Sequence, residues 1–263
     1  MEEPGTVYFT GTAGAGKTSF VRAFADWMRS AGYEATVVNL DPGSESDGLD
    51  PAVDIREWVR LADVQDEYGL GPNGAQVAAA DMIALKIFDV KQAIDELKAD
   101  YVLIDTPGQV ELFAFREASK AIVDALSGDR SLIAFLFDPA LARSASGFVS
   151  LLMLSATVEF RFRLPMLNVL TKSDVLTAEQ IAELQSWSED PGQLYEAVTR
   201  DAPTPDVQLS TELFRAIESL GPLAGLLPTS AKESTGLEAF YQSAQRVFGA
   251  GEDLDPSHAP APE

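Results

Sequence analysis

The chain has 263 residues, 46% of them hydrophobic, enough to bury a sizeable core within one α/β domain. Its 41 acidic against 19 basic side chains leave a formal charge of -22, which repels nucleic-acid phosphate and anionic lipid and excludes both as direct partners. With no cysteine, and with its one histidine, His258, in a Pro-rich tail, disulfide, thiol and thiolate-metal chemistry are excluded as well.

The N-terminus Met1-Glu2-Glu3-Pro4-Gly5 lacks the basic and apolar regions of a signal peptide, so a cytoplasmic protein is expected. The apolar run 7–10 predicts a strand, and 18–30 place Phe20, Val21, Phe24, Trp27 and Met28 at helical spacing. Between them Gly11-Thr12-Ala13-Gly14-Ala15-Gly16-Lys17-Thr18 reads G-x-x-x-x-G-K-T, a P-loop. Its glycines let backbone N–H groups close around a β-phosphate, and the helix that follows adds its dipole. The expected nucleotide set here is Thr12, Ala13, Gly14, Ala15, Gly16, Lys17, Thr18 and Ser19, with Lys17 bridging the β- and γ-phosphates and the Thr18 hydroxyl on Mg²⁺.

A second buried strand, 35–41, ends at Asp41, with Pro42-Gly43 stopping it. A carboxylate at a strand end, in a crevice with Lys17, suits a metal ligand or a holder of the attacking water. Residues 54–62 read as helix, and 75–98 as a long helix rich in Ala, Leu and Ile. Between these, Gly69-Leu70-Gly71-Pro72-Asn73-Gly74 reads as a tight loop, Pro72 fixing φ and Asn73-Gly74 tolerating left-handed geometry.

The next strand, 101–106, leads into Asp105-Thr106-Pro107-Gly108-Gln109-Val110-Glu111. Asp105 stands where a Walker B acid holds Mg²⁺ through water, and Gly108 can turn its N–H toward a γ-phosphate. Gln109 occupies the place of the water-orienting glutamine of Ras-type GTPases, and Glu111 is a supporting acid beside it. Further strands are expected at 131–138, 166–171 and 226–229, each set apart by helix-length segments. The pattern predicts an α/β fold: a doubly wound, mostly parallel P-loop sheet with helices on both faces and a helical insertion.

The apolar segment 148–160 includes Glu159 and is too short to span a bilayer; its Phe148, Leu151, Leu152, Met153, Leu154 and Phe160 fit either core burial or a subunit interface. Thr171-Lys172-Ser173-Asp174 resembles the Asn-Lys-x-Asp guanine motif, with threonine in place of the loop-fixing asparagine. Asp174 would accept hydrogen bonds from guanine N1–H and the 2-amino group, which adenine does not present, while the Lys172 stem covers the ring. Thr229-Ser230-Ala231-Lys232 resembles the later Ser-Ala-Lys motif, the Ala231 N–H meeting guanine O6. Residues 1–248 read as one domain, 190–222 as an insertion with one short helix at about 211–220, and 249–263 as a disordered acidic, Pro-rich tail.

With Gly71-Pro72-Asn73 between the first two motifs, residues 11–232 closely resemble the GPN-loop GTPases, named for that tripeptide, in an archaeal-type homodimeric form. Asn39-Leu40-Asp41-Pro42 and the run from Asp105 to Glu111 match further features of the family. The resemblance implies a homodimer in which Asn73 contacts the γ- or leaving phosphate in the partner's site, and a GTP/GDP switch in the assembly of multisubunit complexes. The expected catalytic residues are Asp41, Gln109, Glu111 and Asn73; the expected metal ligands are Thr18, Asp41 and Asp105. Two other readings stay open: a GTP-binding assembly factor with negligible turnover, and a partitioning-type P-loop ATPase, against which stand Thr12 in place of an early lysine and the pair Lys172 and Asp174. Twelve arginines against seven lysines, in so acidic a chain, resemble the cytoplasmic proteins of salt-accumulating microbes.

Overall fold

Every residue of β1 (Gly5–Gly11) is buried because its two faces meet two different helix layers: Val7 and Phe9 pack to one side, Tyr8 to the other. β5 (Ser131–Phe137) behaves alike, with Leu132, Ala134 and Leu136 on the first side and Ile133, Phe135 and Phe137 on the second. A strand covered on both faces has no polar side to alternate with, hence the unbroken apolar runs in the sequence. In the computed structural model these strands join β2 (Ala35–Asn39), β3 (Val53–Asp54), β4 (Tyr101–Asp105), β6 (Met166–Leu170) and β7 (Leu226–Pro228) in an all-parallel sheet of order β3-β2-β4-β1-β5-β6-β7. The structure describes residues 3–44, 48–97, 99–200, 212, 214–215 and 225–249, the side chains of Glu111 and Leu112 excepted.

On one face, α1 (Lys17–Ser30) brings Phe20 and Phe24 against Phe9 and against Phe240 of the C-terminal helix (Leu237–Phe248), Phe24 meeting Phe240 edge-on at 4.9 Å. On the other, α3 (Pro72–Asp95) buries Ala75, Ala79, Ile83, Ile87 and Val90, a stripe at the three- and four-residue spacing of one helix face. α5 (Glu117–Leu126) and α7 (Ala145–Phe162) complete that layer. After β4 the chain crosses to the far side of β1, so the loop following β1 opens where the strand order reverses, the crevice in which such sheets bind ligands.

The expected helix at 54–62 is absent. Val53–Asp54 form the edge strand β3, Ile55–Glu57 a single 3₁₀ turn, and α2 (Leu61–Tyr68) starts only after Arg60. Val53 and Ile55 are buried on either side of Asp54, an alternation too short to register as a strand in sequence. The tight loop expected at 69–74 is also corrected. Only Gly69 is left-handed (φ 62), while Pro72 opens α3 with Asn73 and Gly74 in its first turn, where a missing proline N–H costs no helical hydrogen bond.

The apolar segment expected at 148–160 is part of an 18-residue helix, α7, which by length and composition alone is long enough to cross a membrane. Core packing accounts for it: Phe148, Val149, Leu151, Leu152, Val158 and Phe162 are buried, whereas Phe160 is 82% exposed. Inside the expected insertion, Pro191–Thr199 form a further helix, capped by Asp190 and buried through Leu194, Ala197 and Val198. The helix expected at about 211–220 and the tail expected at 249–263 lie outside the described residues, apart from Glu212, Phe214, Arg215 and Gly249.

Candidate functional site

Gly14 and Gly16 take φ of 77 and 87, which side-chain-bearing residues rarely adopt, and Gly16 caps α1. Lys17 is buried, its Nζ donating to the carbonyls of Gly11 (3.0 Å), Thr12 (3.1 Å) and Gly108 (2.7 Å). Thr18 Oγ1 donates to Asp105 Oδ2 at 2.6 Å. Asp105 is fully buried and its Oδ1 has no hydrogen-bond partner. Burial, only partly offset by the Thr18 hydroxyl, pushes the Asp105 carboxyl up to about 6. A hydroxyl and an unsatisfied carboxylate oxygen at a phosphate loop form a hard-oxygen donor set, which fits Mg²⁺.

Asp41 lies two residues beyond the end of β2. Its Oδ1 accepts the Gly43 N–H at 2.9 Å and its Oδ2 the Gly108 N–H at 3.1 Å. Burial raises its pKa against these bonds and against the charges of Lys17 and Arg56. Gly108 thus gives its N–H to Asp41 and its carbonyl to Lys17, joining the loops after β1, β2 and β4. Asp41, Gly108 and Gln109 also line one small cleft with Pro42, Pro107 and Gln76 of α3.

At the other end of the P-loop, Thr171 Oγ1 donates to the Ala15 carbonyl at 2.8 Å and lies 3.2 Å from that of Phe137. A hydroxyl therefore ties the two loops together where an asparagine amide was missed in the sequence. Lys172, in a left-handed conformation (φ 52), donates to the Gly14 carbonyl at 2.6 Å and pairs with Asp138 at 3.0 Å. Asp174 accepts the Ser230 hydroxyl at 2.6 Å, which, with Lys232 nearby, holds its carboxyl below the usual range. Ser19 and Ala231 line a common cavity of about 310 Å³ between α1 and the loop after β7.

Over residues 9–250 the chain matches the family model described as a conserved hypothetical ATP binding protein. It is 30% identical over 234 residues to the GPN-loop GTPase PAB0955 of Pyrococcus abyssi, covering 88% of this chain and 92% of that one. The crystal structure of the apo form of that protein superposes with a TM-score of 0.82, at 28% identity over 92% of this chain and 97% of the other. The chain belongs to the GPN-loop GTPase family. GPN-loop GTPase 3 of Eremothecium gossypii is 27% identical over 95% of this chain and 94% of its own length. Other GPN-loop GTPases are longer, and this chain spans 53% of the GPN-loop GTPase 2 homolog of Dictyostelium discoideum.

In this family member, Gly71, Pro72 and Asn73 are exposed at the start of α3, and Glu111 lies in the short helix Val110–Ala114 with its side chain outside the described atoms. Sequence reasoning missed Asp138, which reads locally as a helix cap because it also accepts the Ala140 N–H. It missed Ser230 as the partner of Asp174, 56 residues away. The raised Asp105 carboxyl carries a testable linkage. Its folded pKa exceeds its unfolded one, so its favourable contribution is present below about 4 and lost as pH rises through about 6. Without metal, Asp105→Asn should melt roughly 5 °C above the parent at pH 7.5, with the gap closing toward pH 4, as read by calorimetry.

Proposed function

We propose that the protein binds GTP and hydrolyses it to GDP and phosphate, as a cytoplasmic homodimer that acts as a nucleotide switch. The observation that carries this reading is the meeting of Lys17, Asp41 and Gly108, which sets a base, a cation and a backbone donor together at the phosphate end of the P-loop. The N–H groups from Thr12 to Ser19 and the Lys17 ammonium would bind the phosphates, Lys17 leaving carbonyl partners for phosphate oxygen. Asp41 would accept a hydrogen bond from the attacking water and Gln109, beside it, would orient that water, with Glu111 supporting. Thr18 and Asp105, with Asp41 next to them, would hold Mg²⁺, which when bound neutralises charge on the β- and γ-phosphates.

The family description names ATP, but the base end of the site favours guanine. An ionised Asp174, fixed by Ser230, is an acceptor matched to N1–H and the 2-amino group, and an adenine N1 in that place has no hydrogen to offer. Lys172 and the Ala231 N–H would cover and cap the same base, and Thr171 joins this loop to the P-loop. The dimer reading is supported by exposed Leu85 (82%) and Phe88 (77%) on α3, the helix that the Gly-Pro-Asn tripeptide opens. An Arg116–Asp81 pair and an Arg161–Glu117 pair link α3, α5 and α7 in that layer. Asn73 would then complete the partner's phosphate site, and the output would be a change of shape, of the kind that drives assembly of multisubunit protein complexes.

Binding of GTP and ATP should be compared by titration calorimetry with Mg²⁺, and mass by light scattering with GDP and with a non-hydrolysable GTP analogue. GTP should bind at least about 100-fold tighter than ATP, and the analogue-bound protein should be a dimer. Asn73→Ala should lower single-turnover hydrolysis about 10-fold or more while leaving the melting temperature unchanged. Equal affinity for ATP would overturn the guanine reading, and a monomer in both nucleotide states the shared site.

A further inference from the structure

The two-residue strand β3 is too short to add much to the sheet, yet it delivers a run of polar contacts to the turn that carries Asp41. Asn39, nearly fully buried, donates through Nδ2 to Asp54 Oδ1 (2.9 Å), to Ser44 Oγ (3.0 Å) and to the Asp41 carbonyl (3.3 Å). Its Oδ1 accepts the Asp41 N–H at 3.0 Å, so the Asn39 amide grips both backbone groups of Asp41. Asp54 in turn is held by Arg56, whose Nε lies 2.9 Å from each carboxylate oxygen and whose other guanidinium nitrogen also reaches Oδ2. The free arm of Arg56 donates to the Ser44 carbonyl at 3.0 Å, closing the far end of the same turn. Register explains why these residues meet: in the parallel pairing of β2 with β3, Asn39 lies opposite Asp54.

We propose that Asp54 and Arg56 are positioning residues for GTP hydrolysis, acting through Asn39 and Ser44 to hold Asp41 against Gly108. The inference rests on the catalytic role given above to Asp41. Its physical basis is that Asp41 has a half-buried carboxylate on a loop, and a loop alone does not fix a side chain to the fraction of an ångström that a water-orienting group needs. A bidentate guanidinium–carboxylate pair is the most directional side-chain clamp available, and lysine cannot reproduce it. Placing the clamp on β3 couples the Asp41 turn to the rigid sheet. The charge of Arg56 also opposes the effect of burial on Asp41.

The test is a cycle built from Asp41→Ala, Arg56→Ala and the double variant, with single-turnover GTP hydrolysis and equilibrium affinity for a non-hydrolysable GTP analogue measured on each. Arg56→Ala should lower the hydrolysis rate about 10-fold, with analogue affinity changed less than about 3-fold and the melting temperature of the nucleotide-bound protein within a few degrees of the parent. In the Asp41→Ala background, Arg56→Ala should cause no further loss, because its route of action is gone. Arg56→Lys should behave like Arg56→Ala rather than restoring the rate. The proposal is overturned if Arg56→Ala hydrolyses GTP at the parental rate, if rate and affinity fall in proportion, or if the two losses simply multiply in the double variant. Should Asp41→Ala itself keep the parental rate, the catalytic reading of Asp41 fails, and that outcome is distinct from a failure confined to Arg56.

Discussion

Asp174→Asn is expected to lower affinity for GTP by about 10²–10⁴-fold and to make xanthosine triphosphate the better ligand. The carboxylate in the parent protein is held by the Ser230 hydroxyl and stays ionised, so it offers two acceptor oxygens to a base edge that presents two donors. Asparagine keeps one acceptor and turns the other position into a donor, which faces the guanine 2-amino group donor to donor. Xanthine carries a carbonyl at that place and restores the match. Competition binding against a labelled GTP analogue gives both affinities in one experiment. A variant that still prefers GTP would show that another residue reads the base. Because Thr171 and Lys172 hold the P-loop from the same segment through Ala15 and Gly14, the variant should keep its fold and its phosphate site.

Asp41→Ala should lower the single-turnover rate of GTP hydrolysis about 10²–10³-fold while leaving nucleotide affinity within a few-fold of the parent. The change removes the carboxylate that accepts the Gly108 N–H. Asp41→Asn separates the two contributions. It retains a carbonyl to accept from one backbone N–H but no charge with which to draw a proton from water. If the asparagine variant is as slow as the alanine one, the charge carries the effect; a much faster asparagine variant assigns the effect to the anchoring of Gly108. Burial holds the Asp41 carboxyl above the ordinary aspartate range, so the acid limb of the pH–rate profile should also lie above that range and vanish in both variants. Parental rates in both variants would remove Asp41 from the mechanism.

The parts of the site legible in sequence are those whose chemistry is local. Eight contiguous residues make the P-loop, because the atoms that close on phosphate are backbone N–H groups and two adjacent side chains. The loop proposed for guanine is legible for the same reason, Lys172 and Asp174 both standing in one turn. Proline, glycine and asparagine at 71–74 were less informative, since the same residues signal a turn and a helix start. Pro72 at the first position of α3 is the second of these. β3 escaped because a two-residue strand carries no periodicity, and with it went Asp54 and Arg56.

By itself the sequence determined the family, through contiguous motifs, and the doubly wound parallel sheet, through the spacing of apolar runs; it also named the residues proposed for phosphate and guanine. Tertiary structure alone decided which carboxylate meets which loop. Asp41 and Gly108 are 67 residues apart, and Thr171 and Ala15 are 156 apart. They meet because parallel strands in register bring their C-terminal ends to one edge: Asn39 and Phe9 both pair with Asp105, so the loops after β1, β2 and β4 leave the sheet side by side. No local spacing encodes that register; burial of both sheet faces sets it, through the packing of every strand at once.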